Sequence, residues 1–156
     1  MRRHLAAALS LAMLVVTGAL AQTSPLEGTW KLNVAKSKYS PNPAPKSQTI
    51  KFERVEGGFR FTTDGVSTTG ETSRTVTMQK SDGSDAPIEG GTTQGATRSL
   101  RRIDDRTYDH NDKLNGKPTV ARRIVISPDG RTLTITMSGN NAQGEPVNNM
   151  AVYEKQ

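Results

Sequence analysis

From Gly28 to Lys155 the chain is a series of short runs in which apolar residues recur at every second position, and turn-forming residues interrupt each run. That period puts alternate side chains on one face of an extended strand, so each run buries one face and leaves the other polar. Trp30, Leu32 and Val34 alternate after Gly28; Ile50 and Phe52 alternate in the next run; Phe59 and Phe61 follow Gly57-Gly58. Val76 and Met78 lie among Thr75 and Thr77, while Leu133, Ile135 and Met137 interleave with Thr132, Thr134 and Thr136. Asn115-Gly116 and Ser127-Pro128-Asp129-Gly130 separate neighbouring runs. Both are hairpin signals, because Asn and Gly take positive φ readily and Pro pre-sets the first turn residue. Asp64-Gly65 and Asp82-Gly83 carry a weaker form of the same signal. Nine strands are expected, at about 28–34, 47–55, 58–64, 71–79, 95–103, 106–114, 118–127, 131–138 and 147–154, with a short tenth near 87–89. No segment after residue 21 shows a sustained helical pattern.

Consecutive hairpins with one apolar face lead to a sandwich or a barrel, and the barrel also removes exposed edges. The expected fold class is therefore all-β: an antiparallel up-and-down β-barrel of about eight to ten strands. Two linkers interrupt the rhythm. Residues 35–47 contain Pro41, Pro43 and Pro45 and should run extended or turn-like across one end. Residues 81–97, rich in Gly, Ser, Asp and Thr, are expected to form a mobile loop. No longer repeat is apparent, which argues against a solenoid or propeller.

Residues 1–21 read as a secretory signal: Arg2 and Arg3 supply the positive start, an apolar run follows, and Ala19-Leu20-Ala21 offers small residues at the cleavage point. The apolar run is shorter than the roughly 20 residues a membrane-spanning helix needs. Cleavage before Gln22 leaves a single domain, 22–156, expected in the periplasm or outside the cell and most simply a monomer. That segment holds 15 of the 51 hydrophobic residues, leaving 36 among the other 135, or 27%. It also removes two of the 21 basic residues, so the net charge of +6 drops to +4. With no cysteine, neither disulfides nor thiolate-bound zinc are available, and burial and hydrogen bonding must hold the fold.

Ser24-Pro25-Leu26-Glu27 has the residues of a capping box. It leads into Gly28-Thr29-Trp30-Lys31-Leu32-Asn33, and the chain closes with Val152-Tyr153-Glu154-Lys155. This opening resembles the short turn and G-x-W of lipocalins and the related fatty-acid-binding barrels, the calycins. The whole chain after residue 21 resembles a group of small secreted bacterial lipocalin-like proteins that open GTWxLN and close VYEK. The resemblance implies an antiparallel barrel with Gly28 and Trp30 plugging one end and ligand access at the other. Lipocalins commonly pack an arginine over that tryptophan, whereas residues 148–156 contain none and offer Lys155 instead.

Strand parity gives a candidate interior. Arg54 shares the parity of Ile50 and Phe52, Arg74 that of Val76 and Met78, and Arg122 that of Val120, Ile124 and Ile126. Arg102 matches Leu100, and Tyr108 shares a face with His110. If these faces point inward, guanidinium groups line or rim a cavity that can hold a small hydrophobic or acidic ligand, with a tail among Phe52, Phe59 and Phe61. Alternatively the arginines sit at strand ends and pair with Glu53, Glu71, Asp104 or Asp105, and side chains fill the barrel. No catalytic residue, metal or cofactor is assigned. His110 is the only histidine after residue 21, no serine nucleophile accompanies it, and His110 with Asp112 lacks a third metal ligand. Asp82-Gly83-Ser84-Asp85 lacks the spacing and closing glutamate of a calcium loop. Dispersed basic residues and few aromatics argue against nucleic acid. A second expectation is an envelope partner or hydrolase bound through the proline-rich stretch 39–45.

Overall fold

The computed structural model describes residues 23–90, 93–141 and 143–156, and the expected export segment lies outside them. Ten strands are present: β1 (Gly28–Leu32), β2 (Ser47–Val55), β3 (Gly58–Val66), β4 (Thr72–Lys80), β5 (Asp82–Pro87), β6 (Ala96–Arg102), β7 (Thr107–Leu114), β8 (Lys117–Ile126), β9 (Thr132–Asn140) and β10 (Pro146–Lys155). They form one antiparallel sheet in the order β4-β3-β2-β1-β10-β9-β8-β7-β6-β5, so every strand but β4 pairs with the next in sequence, and β1 joins β10. The two ends of that order meet where Val76 and Glu89 exchange backbone hydrogen bonds of 2.9 Å, and where Arg102 N–H donates to Ser81 O at 3.2 Å. The result is a nearly closed up-and-down barrel, with a seam between β4 and β5. Among the described residues the only regular helix is a 3-10 turn at Val34–Lys36, and no helix is long and apolar enough to cross a membrane.

Local chemistry explains the turns. Asn115 (φ 49°) and Gly116 (φ 79°) form the two-residue β7–β8 turn whose positive φ values match the twist of the flanking strands. Ser24–Glu27 closes one turn, with Glu27 N–H donating to Ser24 O at 3.0 Å and Ser24 N–H donating to the Glu27 carboxylate at 3.1 Å.

Three expectations are corrected. The loop expected over 81–97 contains β5 in place of a short strand at 87–89. The segment Asp82–Pro87 lacks apolar alternation, and its strand geometry comes from pairing with β6 across a bulge that Gly83 (φ 91°) permits. Asp64-Gly65 does not turn the chain but lies within β3, and the turn falls at Ser67–Gly70, where Gly70 N–H donates to Ser67 O at 3.1 Å. The proline-rich linker is also less free than its composition suggests. After the 3-10 turn Lys38 pairs with Met150 and Ser40 accepts from Asn148, so the chain resumes the line of β1 along β10 before the prolines begin.

The core gathers at the end where β1 starts. Trp30 is fully buried there, its indole N–H donating to Leu26 O at 2.9 Å, and it belongs to the same buried cluster as Leu100, Ile124, Ile126 and Leu133. Lys155 Nζ lies 5.0 Å from the Trp30 ring centroid, a cation–π contact. That end is plugged, so any interior space lies toward the other.

Candidate functional site

Three neighbouring strands bring charge to the interior. In the register of β6 and β7, Arg98 faces Asp112 and Leu100 faces His110; in that of β7 and β8, His110 faces Arg122. Residues directly opposite share a face, so Arg98, His110, Asp112 and Arg122 form one inward patch. The β7–β8 register shifts between Asn111 and Lys113, which frees Asp112 from a partner on β8 and lets its carboxylate serve both arginines. Arg98 donates two bonds to it, Nε to Oδ1 at 2.6 Å and Nη2 to Oδ2 at 2.9 Å, and Arg122 Nη1 stands 2.7 Å from Oδ2. The three side chains are only about 15% exposed.

Burial pushes the Asp112 carboxyl up, but the Arg98 hydrogen bonds and the charges of Arg122 and Arg98 outweigh it and hold the carboxyl well below the usual carboxylate range. His110 moves the same way for a different reason: burial, reinforced by the Arg98 and Arg122 charges, opposes a further cation and keeps the imidazole neutral near pH 7. Two guanidiniums against one carboxylate leave an interior surplus of one positive charge. Each guanidinium has five N–H donors, so Asp112 leaves several unused.

His110 is buried, its ring stacked on Phe61 with centroids 4.8 Å apart, and neither ring nitrogen has a partner among the described residues. It borders a cavity of about 230 Å³ together with Arg98, Arg122, Phe61, Ile135 and Met137. The far wall comes from β3 and β4, with the hydroxyl side chains Thr63, Ser73 and Thr75, and Gln48 from β2 accepts the Tyr153 hydroxyl at its edge. A larger hollow of about 660 Å³ lies on the outer face of β7–β10, beside Ala121, Thr136 and Ser138. Another of about 480 Å³ lies at the plugged end, where Arg54 and Arg102 are already paired with Glu27 and Asp105. Among the described residues the hollow at the plugged end has no unpartnered buried polar group, while the outer one reaches Arg122, which it shares with the inner cavity.

Of the expected site residues, Arg122, His110 and Phe61 meet at the inner cavity. Phe52 and Phe59 are buried but lie beneath it, Phe52 edge-on to Phe61 at 4.1 Å and Phe59 edge-on to Tyr108 at 6.4 Å. Tyr108 is turned to the plugged end, its hydroxyl 3.0 Å from Ser24 Oγ. Gly28 (φ 126°) and Trp30 occupy that end too, with Lys155 folded against both. Arg54 does not line the cavity: it sits at the plugged rim, bonded to Glu27 at 2.6 Å and 5.5 Å over Phe59. Arg74 is a reversal of face. On β4 it is Ser73, Thr75, Thr77 and Gln79 that point inward, while Arg74, Val76 and Met78 point outward, Met78 being 51% exposed and Arg74 paired with Asp64 at 3.1 Å. Sequence reasoning missed Arg98, although it stands two residues before Leu100 and obeys the same parity rule.

No protein-family model matches this chain, and no curated protein matches it. The fold and the inner patch define a class: an up-and-down β-barrel with a charged, partly hollow interior.

Proposed function

We propose that this chain is an exported β-barrel binding protein that holds a small anionic ligand inside the barrel, against Arg98 and Arg122. The observation that carries the reading is the surplus positive charge of two buried guanidiniums sharing one carboxylate beside a 230 Å³ cavity. Uncompensated interior charge is costly, and an anion at this point offsets it while engaging guanidinium donors that Asp112 leaves free. The likeness of the Gly28–Asn33 opening to lipocalin-type barrels supports binding at the unplugged end, and the apolar run within 1–21 supports export.

Size narrows the ligand. The inner cavity, at about 230 Å³, is the smallest of the three described hollows and suits a compact ligand. Phe52 and Phe59 are occupied in core packing and offer no open surface for a long tail.

Calorimetric titration of the purified protein with butyrate tests the reading. Saturable binding is expected, weakened about tenfold or more in Arg122→Met, which removes the surplus charge and leaves the Arg98–Asp112 pair intact. Equal affinity in the variant, with unchanged circular dichroism, would contradict it.

A further inference from the structure

The anion-binding reading leaves open what the rest of the ligand is. Four groups around the cavity bear on it: His110, Thr63, Ser73 and Thr75. His110 is 4% exposed, and neither of its ring nitrogens, one a donor and the other an acceptor in the neutral ring, is engaged by another described residue. Across from it the hydroxyls of Thr63, Ser73 and Thr75 take no part in side-chain hydrogen bonds with other described residues. A ligand with an aliphatic tail would leave the buried His110 nitrogens unsatisfied and displace water from the half-buried hydroxyls of Thr63 and Thr75 without replacing its hydrogen bonds. A hydroxylated ligand satisfies them, since each hydroxyl can both donate and accept.

Charge and volume narrow the choice further. The interior surplus matches one negative charge, and a second would be buried without a partner. Phe61, Ile135 and Met137 supply a limited apolar floor, enough for a short carbon backbone.

Resting on the anion-binding reading, we infer that the ligand is a short hydroxylated monocarboxylate, its carboxylate held by Arg98 and Arg122 and its hydroxyls by His110 and the Thr63–Thr75 wall. The apolar floor supports the backbone between them.

Calorimetry with a matched pair of four-carbon acids, erythronate and butyrate, separates this inference from the broader one. Erythronate should bind at least about tenfold more tightly, the worth of one or two well-placed hydrogen bonds. His110→Phe should erase most of that preference. Thr75→Val, a near-isosteric change on the opposite wall, should narrow the same preference and keeps the test decisive if the His110 variant does not fold. Butyrate binding as tightly as erythronate would overturn the hydroxy-acid inference and leave anion binding standing. Inorganic phosphate binding more tightly than erythronate would overturn it as well, in favour of a simple oxyanion site. Failure of all three probes to bind would overturn both readings.

Discussion

At Asp112 three charges meet where water reaches them poorly, and the carboxylate holds two guanidiniums that would otherwise repel across the barrel wall. Removing one member of a buried ion cluster costs more than the cluster contributes, because the remaining charges stay buried. Asp112→Asn is therefore expected to lower unfolding free energy by about 3 kcal/mol in urea denaturation, whereas Asp105→Asn, on an exposed pair, should change it by less than about 1 kcal/mol. The substitution also has a pH signature. Because the folded state holds the Asp112 carboxyl below its unfolded value of about 3.9, the unfolded chain binds more protons in acid. The stabilisation is complete above that value and is lost as the pH falls through the folded one. Wild type should lose stability along this acid limb, and Asp112→Asn should flatten it.

The strands carry a different constraint: close approach of backbones. Gly139 lies in β9 at φ 125°, opposite Val120, and a Cβ placed there would come 2.1 Å from Thr119 O. Gly57, in the β2–β3 turn, has φ 74° but open space around it. Gly57→Ala should thus cost about 1 kcal/mol from backbone strain alone, and Gly139→Ala distinctly more, about 3 kcal/mol, since β8 and β9 must separate; thermal unfolding of the two variants checks the contrast. Most strands were legible because alternation and turn chemistry agree, as at Leu133–Met137 and Asn115-Gly116. β5 was not, because Asp82–Pro87 has no apolar face of its own and becomes a strand only against β6. Arg74 shows the corresponding limit for the site. Parity tells which residues share a face but not which face is inside, and on β4 threonines and Gln79 fill the interior while Val76 and Met78 look out. Arg98 was within reach of the same rule, whereas the shared Asp112 carboxylate depends on a bulge that sequence pattern does not announce.

As a whole molecule the barrel divides its interior by chemistry along its axis. Trp30, Leu26 and Lys155 shut one end, a packed aromatic and aliphatic layer follows, and the polar patch with its cavity stands above it. The scarcity of apolar residues after residue 21 fits that division, since only part of the interior is hydrophobic. Closure through the Val76–Glu89 bridge completes the wall around a polar interior that no disulfide braces. The most direct test of anion binding in that interior is a crystal structure of the protein grown with butyrate. The carboxylate should lie inside the barrel within hydrogen-bonding distance of the Arg98 or Arg122 guanidinium; an interior filled by its own side chains, with butyrate bound only outside, would contradict it.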